Sequence, residues 1–254
     1  MSEPIDSLKT QASFGREVVQ SLSEGDFARP SPGCPGWTVK DVVAHLTTGA
    51  QLIDRTVRRT GGGKDWAQDR AAIFGEMSAL PVDQLKRRYG EVDENVVALL
   101  EGTDPAHPCH HPAYGDIPAS RFVAMRTSEV AIHSWDIAAA NDPNARLGAP
   151  ALNVVYGTLA ANLPSWVSAE NVNRRYRFNV DGDQRTLTID GGKAAWTDGG
   201  EADASLTMDT GDAVLLLSGR MSSQQLIDAG RIKVDGDAAA ARELSSLFRA
   251  YAGR

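Results

Sequence analysis

Cysteine is scarce in this chain, with Cys34 and Cys109 the two present among 254 residues. Two cysteines cannot form the disulfide framework on which small secreted domains depend, so a reducing cytoplasm is the expected compartment. Residues 1–7 lack the basic and apolar regions of a secretory signal peptide, which favours the same compartment. No apolar run approaches the roughly 20 residues of a membrane-spanning helix, so no membrane partner is expected.

Positive charge is also in short supply. The chain has 26 basic residues against 33 acidic ones, a net charge of −7, and no cluster of lysine and arginine reverses that balance. This excess of negative charge argues against nucleic acid as a partner. The hydrophobic content of 42%, by contrast, is ample for a packed core, and the length allows one large or two small domains.

Helical spacing of apolar residues predicts four long helices in the first half of the chain. The first covers about residues 5–24, the second opens at Thr38 and ends at the glycines 61–63, the third covers 82–100 and the fourth 119–140. Residues 64–80 predict a weaker helix with a loop. Loops rich in proline and glycine, at 30–36 and 102–118, connect the helices, so a four-helix bundle is expected.

The second helix has a predicted start and an inward-facing histidine. Thr38 followed by Asp41 is similar to a capping box, although aspartate replaces the usual glutamate or glutamine. Farther along, His45 shares a face with the apolar residues of this helix. A single inward histidine is more often a hydrogen-bonded core residue than a metal ligand, so both interpretations of His45 stay open on residue type alone.

The fourth predicted helix carries the strongest candidate site. It is apolar or small on almost every side, which is typical of a buried helix, yet Glu129 and His133 are four residues apart and share one face. Arg126 and Asp136 extend the same stripe. Because an unpaired buried charge is very costly, a metal ion that bound both side chains would explain them. With His45 they would form a site of two imidazoles and one carboxylate.

A second histidine-rich stretch has a weaker claim to metal chemistry. Cys109, His110 and His111 lie in the predicted loop 102–118, which contains four prolines. Adjacent ligands in such a loop do not match the spacing of structural zinc sites, so an exposed loop near a pocket mouth is the favoured interpretation.

After residues 141–148 the sequence pattern changes from long helices to short strands and helices. A helix is predicted over 149–167 with an interruption near Pro164, followed by strands at 175–180, 186–189, 193–197, 204–208 and 231–234. Thr210, Ser222 or Ser223, and Asp237 are predicted to cap short helices, the last reaching about Tyr251. This half is therefore expected to be a small α+β domain with an antiparallel sheet, and the domains are predicted at 1–146 and 147–254.

Two motifs together resemble a known family. Cys34-Pro-Gly-Trp-Thr-Val-Lys-Asp-Val-Val-Ala-His45, followed much later by Glu129-Val-Ala-Ile-His133-Ser-Trp-Asp136, is similar to the mycothiol-dependent maleylpyruvate isomerase family. The resemblance covers nearly the whole chain. It implies a mostly α N-terminal DinB-like four-helix bundle, followed by an α+β C-terminal domain related to sterol carrier proteins.

The resemblance also implies site residues and cofactors. The family's metal triad of histidine, glutamate and histidine matches His45, Glu129 and His133, which favours His45 as a ligand. Arg220 is implied to reach from the C-terminal domain toward the cleft, and it is predicted with Asp136 as a catalytic and cofactor-binding residue. The expected cofactors are zinc or another divalent metal, with mycothiol as the thiol cosubstrate; the expected partners are that thiol and a small electrophile, in a monomer or homodimer.

The chemistry of such a site follows from its ligands. Two neutral imidazoles and one carboxylate leave a divalent zinc with an open position, where a bound thiol loses its proton and becomes a nucleophile. Thiolate addition to maleylpyruvate and later expulsion would give the trans isomer, whereas displacement on another electrophile would give an S-conjugate. Asp136 is expected to orient a ligand imidazole or to bind the cofactor amine. Trp37, Trp135, Arg126 and Cys34 are expected to pack around the site.

Two other classes of function stay open at this stage. Two histidines and one carboxylate also suit a non-haem Fe(II) enzyme. A non-catalytic ligand-binding module with a purely structural metal is the third alternative.

Overall fold

The computed structural model describes residues 2–58, 66–111 and 115–248. The chain divides into two compact units. The first comprises Met1–Ala145 and Ala149–Val154, and the second comprises Arg146–Gly148 and Val155–Arg254. The predicted domain boundary between residues 146 and 147 stays a prediction.

The first unit is helical. Its helices are α1 (Ser2–Ser21), α2 (Val39–Arg58), α3 (Trp66–Ala79), α4 (Val82–Gly102) and α5 (Ala119–Ala139), with a short 3₁₀ helix at Glu24–Ala28. Both α1 and α2 pack on α4 and α5, while α3 packs on α2. The four long helices therefore form the bundle that the sequence predicted. In the part of the chain that the structure describes, no helix combines the length and apolarity that crossing a membrane requires.

The start of α2 is fixed by the predicted capping pair. The backbone N–H of Thr38 donates to Oδ2 of Asp41 at 2.8 Å, and the backbone N–H of Asp41 approaches Oγ1 of Thr38 at 3.3 Å. The shorter aspartate thus performs the task of the usual glutamate. Because the first turn is fixed here, the helical phase that puts His45 on the inner face is fixed as well.

The predicted loop 102–118 is in part a β-hairpin, which corrects the sequence interpretation. Strands β1 (Pro108–His111) and β2 (Gly115–Pro118) pair antiparallel, with Cys109 opposite Ile117. Both of these side chains are buried in the core of the bundle, so Cys109 is not on an exposed loop. Two of the four prolines that suggested a loop, Pro108 and Pro118, face each other at the open end of the hairpin, where a missing N–H is tolerated.

The second unit is an α+β structure. Its strands are β3 (Arg174–Val180), β4 (Asp183–Asp190), β5 (Lys193–Thr197), β6 (Ala204–Met208) and β7 (Lys233–Gly236), in the sheet order β5-β4-β3-β6-β7. Every neighbouring pair is antiparallel except β3 and β6, which are parallel. The predicted α+β class is confirmed, and the sheet is mixed because the chain crosses from β5 at one edge back to the side of β3.

Helix α6 (Leu152–Trp166) continues through Pro164, where an interruption was predicted. A proline has no N–H, so the carbonyl oxygen of Ala160, four residues earlier, loses its helical donor. Nε1 of Trp196 on β5 donates to that oxygen at 2.8 Å. A side chain of the sheet thus replaces the missing hydrogen bond and allows the helix to extend past the proline.

The second unit also contains, within its described residues, the short helices α7 (Thr210–Leu217), α8 (Ser223–Asp228) and α9 (Ala238–Glu243). Ser222 and Asp237 cap α8 and α9 as predicted. The predicted cap of α7, Thr210, was wrong by one residue. The carboxylate of Asp209 caps this helix, because it accepts from the N–H of Asp212 at 2.7 Å. The hydroxyl of Thr210 donates to Asp181 instead. The last helix ends at Glu243 and is followed by a 3₁₀ turn, Leu244–Ser246; its predicted end near Tyr251 lies outside the described residues.

The corrected cap can be tested by substitution. Asp209→Ala removes the acceptor for the first turn of α7 and is expected to lower the free energy of unfolding by about 1 kcal/mol, measured by urea denaturation. Asp198→Ala, at an exposed position between β5 and β6, is the matched control and should change it by less than about 0.5 kcal/mol. Equal effects of the two substitutions would contradict the assignment of the cap.

Candidate metal centre

The three residues of the predicted triad lie together where α2 packs on α5. Nε2 of His45 is 3.1 Å from Oε2 of Glu129, and Nε2 of His133 is 3.6 Å from the same oxygen. The two imidazole rings meet edge to face, with their centroids 4.8 Å apart. Two residues one turn apart on α5 thus converge with one residue of α2 that is 84 positions away from Glu129 in the sequence.

The cluster is sheltered but open at its carboxylate. His45 and His133 are buried, whereas the side chain of Glu129 keeps 22% of its exposure. One ligand atom from each residue lies within 4.8 Å of the others, so the group can hold a metal ion. Ligand atoms at zinc bond lengths and tetrahedral angles are about 3.3 Å apart. The two distances to Glu129 bracket that value.

A buried carboxylate orients one of the imidazoles. Asp136, which is fully buried one turn after His133, accepts a hydrogen bond from Nδ1 of His133 at 2.7 Å. The other ring nitrogen is consequently directed toward Glu129. Metal-binding histidines commonly donate their second nitrogen to a carboxylate in this way, which fixes the tautomer and the ring orientation.

The loop of residues 30–36 closes over Asp136. Sγ of Cys34 donates to Oδ2 of Asp136 at 3.3 Å, and Oγ of Ser31 lies 3.4 Å from the backbone oxygen of Asp136. Gly33 packs so closely that an added Cβ would lie 1.9 Å from Oδ1 of that carboxylate. Residue types alone did not indicate these contacts; the one indication was that Cys34 begins the first family-like motif.

Cys34, His133 and Asp136 form a second group of potential ligands. Its geometry fits a hydrogen-bonded network better than a metal site. The 2.7 Å between Nδ1 of His133 and Oδ2 of Asp136 is a hydrogen-bond length, shorter than the roughly 3.3 Å that two ligands of one zinc would adopt. Cys34 and Asp136 therefore hold the imidazole of His133 in place through hydrogen bonds.

Aromatic rings cover the site on the side of α2. The ring of Trp37 lies 5.2 Å from that of His45 and stacks on Phe74 of α3 at 5.7 Å. Trp135, farther along, is buried and donates through Nε1 to the backbone oxygen of Ala145 at 2.9 Å. Trp37 thus packs against a residue of the triad, and neither tryptophan offers a group that titrates near neutral pH.

Burial and hydrogen bonds set the charges of the triad in the metal-free protein. Burial lowers the pKa of His45, which favours the neutral form that a ligand needs. Burial alone would raise the pKa of Glu129, but the hydrogen bond and charge of His45, with smaller contributions from His133 and Arg126, lower that pKa to about 2. Burial likewise opposes a charge on His133, yet hydrogen bonds with Asp136 and Cys34 raise its pKa to about 9. A metal that binds His133 must therefore displace a proton.

Arg220 and the hairpin histidine His110 were the remaining candidates. Arg220 follows α7 in the second unit, where its Nη1 donates to the backbone oxygen of Ser218 at 3.3 Å; its catalytic role stays a prediction. His110 is exposed on the hairpin, and its Nδ1 pairs with Oδ1 of Asp116 at 2.9 Å. Among the described residues, His110 belongs to no group of potential metal ligands.

The proton on His133 predicts a pH dependence. Its pKa is about 9 in the folded protein and about 6.5 when unfolded, so its protonation stabilises the fold fully below about pH 6.5 and not above about pH 9. Urea denaturation with a chelator present should show a loss of roughly 3 kcal/mol across this window. Asp136→Asn removes the anion beside the ring of His133, so the loss of unfolding free energy between about pH 6.5 and pH 9 should disappear in this variant. An unchanged pH dependence in the variant would contradict the assignment.

The close approach of Gly33 predicts a second effect. Gly33→Ala forces the loop away from Asp136 and should lower the free energy of unfolding by about 1–3 kcal/mol. NMR titration should show a lower pKa for His133, because the loop also carries Cys34. Gly75→Ala on α3, where an added Cβ meets nothing within 4 Å, is the control and should cost nothing. A Gly33 variant that matched the control in both measurements would refute the close packing.

Comparison with known proteins identifies the family. Residues 8–138 match the family described as the mycothiol maleylpyruvate isomerase N-terminal domain, and residues 168–249 match the SCP-2 sterol transfer family. Two uncharacterized proteins of Mycobacterium tuberculosis are each 25% identical over 129 residues, which is 48% of this chain. The chain spans 59% of the length of these curated relatives.

Solved structures show the same fold. The crystal structure of the mycothiol-dependent maleylpyruvate isomerase is similar with a TM-score of 0.65 and 18% identity, over 93% of this chain and 94% of that one. A histidine-to-alanine mutant of that enzyme is similar with a TM-score of 0.65 and 17% identity, over the same shares. The sequence resemblance is confirmed: the chain belongs to the mycothiol maleylpyruvate isomerase family.

Proposed function

We propose that this protein is a mycothiol-dependent enzyme that holds a divalent metal, zinc, through His45, Glu129 and His133 and joins the thiol to a small electrophile. The observation that carries the proposal is the convergence of two imidazoles and one carboxylate on a single point, within 4.8 Å of one another. Membership of the family supports the thiol, and the donor set supports the metal.

The donor set fits a catalytic metal better than a structural one. Structural zinc sites are closed by four protein ligands, whereas catalytic sites have three and keep one position open. The carboxylate of Glu129 and the two imidazoles supply three, and two neutral imidazoles with one anion leave a net charge near +1 on a divalent ion. A divalent metal bound there would supply a thiol in its deprotonated, nucleophilic form at neutral pH.

The chain's own residues account for orientation and shelter. Asp136 holds His133 with Nε2 directed toward Glu129, and Glu129 is ionised because His45 donates to it. The Trp37 ring covers the imidazole of His45 and restricts the approach of water from that side. A pre-oriented set of ligands does not need to reorganise when the metal and thiol arrive, which favours binding.

Both reaction types of the proposal use the same first bond. A carbon–sulfur bond forms between the thiolate sulfur and an electrophilic carbon, while the π bond of an unsaturated substrate or the bond to a leaving group breaks and its electron pair moves to the conjugated carbonyl or to that leaving group. With maleylpyruvate, rotation about the former double bond and expulsion of the thiol would give the trans isomer; with a substrate that carries a leaving group, displacement would give an S-conjugate. We propose Arg220 as a residue that binds an anionic group of thiol or substrate, because a guanidinium matches carboxylates in a bidentate fashion.

Metal content tests the proposal directly. Purified protein is expected to contain one zinc per chain by elemental analysis, and His45→Ala or Glu129→Gln should weaken zinc binding by at least about tenfold. The same zinc-loaded protein should consume mycothiol with maleylpyruvate or with another member of a panel of alkyl and epoxide electrophiles. His110→Ala, which removes an exposed histidine of the hairpin, is the matched control and should keep both properties.

Two results would contradict the proposal. Protein that contains no metal and binds none when zinc is added would exclude the metal. Oxygen consumption that requires Fe(II) and fails with zinc would assign the triad to a non-haem iron enzyme instead.

A further inference from the structure

A buried ion network links the four long helices beside the triad. Asp93 of α4 is fully buried; its Oδ1 accepts from Nη2 of Arg126 on α5, and its Oδ2 accepts from Nη1 of Arg16 on α1, both at 2.7 Å. The fourth helix joins through Arg126, whose Nη1 donates to the backbone oxygen of Leu46 on α2 at 2.9 Å. One carboxylate and two guanidinium groups therefore link all four helices at the same level.

The contact with α2 lies next to two members of the triad. Leu46 directly follows His45, and Arg126 precedes Glu129 by three residues, less than one helical turn. The fork of Arg126 thus connects the backbone beside one ligand with the helix that carries the other two. A slide of α2 along α5 by one residue would move the backbone by about 1.5 Å and break this hydrogen bond.

Stability alone does not explain a guanidinium at this position. Arg126 is 1% exposed, and its Nε has no hydrogen-bond partner among the described residues, so part of its desolvation is uncompensated. Apolar side chains of similar volume often replace buried ion pairs with no loss of stability. A fork with two fixed directions, in contrast, specifies a relative position that apolar packing leaves adjustable.

We infer that Arg126 is a positioning residue that sets the register of α2 against α5 and thereby the spacing of His45 from Glu129. Its guanidinium acts through the backbone of Leu46 and through Asp93, not by contact with thiol or substrate. The consequence for metal affinity rests on the proposed function, whereas the spacing itself is a property of the metal-free protein.

The network offers a matched pair of variants. Arg126→Met removes the fork and leaves Asp93 paired with Arg16, so the buried carboxylate keeps one partner and the bundle is expected to fold. Arg16→Met removes the other, more exposed arginine from the same carboxylate but leaves the hydrogen bond between Arg126 and α2 in place. Arg126→Lys keeps the positive charge and loses the planar fork, which separates the effect of charge from that of position.

Three measurements on the full chain test the inference. Crystals of the metal-free variants give the separation of His45 from Glu129, competition with a chromophoric chelator gives the zinc affinity, and the absorption spectrum of the Co(II)-loaded protein reports ligand geometry. For Arg126→Met and Arg126→Lys we expect His45 and Glu129 beyond hydrogen-bonding distance, zinc affinity lower by at least about tenfold, and an altered Co(II) spectrum. Arg16→Met should match the wild type in all three.

Two results would overturn the inference that Arg126 positions α2 against α5. Arg126 variants that only melt at a lower temperature, with unchanged separation, zinc affinity and Co(II) spectrum, would show a merely structural residue and overturn the inference. If Arg126→Lys behaved like the wild type while Arg126→Met did not, the positive charge and not the planar guanidinium would set the spacing, and the inference would be overturned. A wild-type protein that binds no zinc would refute the proposed function, while the crystals would still decide the inference.

Discussion

The candidate site depends on one contact between two helices, the 3.1 Å approach of Nε2 of His45 on α2 to Oε2 of Glu129 on α5. Both groups are costly to place inside a bundle, and each lowers the cost for the other. The carboxylate stays ionised and the imidazole keeps a partner. His133, one turn along α5, turns this pair into a set of three ligands, and the family relationship gives that set a chemical context.

Other interactions in the first unit hold the two helices and the ring of His133 in position around that contact. The cap at Thr38 fixes the phase of α2, and the buried fork of Arg126 fixes its level against α5. Asp136 turns the ring of His133, and the loop that contains Gly33 in turn holds Asp136. Apart from the close packing of Gly33, each support is a directional polar interaction, whereas apolar packing alone would allow small shifts.

The sequence predicted local features well and long-range ones poorly. The cap at Thr38 and the shared face of Glu129 and His133 depend on neighbours within one helical turn, so spacing was enough. The ligand role of His45 could not be decided from its own helix, because its partners lie on another one, and the family-like motifs supplied that indication. Pro164 was misjudged for the same reason: a tryptophan 32 residues later provides the hydrogen bond that the proline removes.

Anomalous diffraction can locate a metal ion bound by His45, Glu129 and His133. Crystals grown with zinc and measured on both sides of the zinc absorption edge should show one anomalous peak per chain. This peak should lie about 2.0–2.2 Å from an imidazole nitrogen of His45, an imidazole nitrogen of His133 and a carboxylate oxygen of Glu129. A peak at any other position, or no peak at a zinc concentration that saturates the protein in solution, would show that these three residues do not form the zinc site.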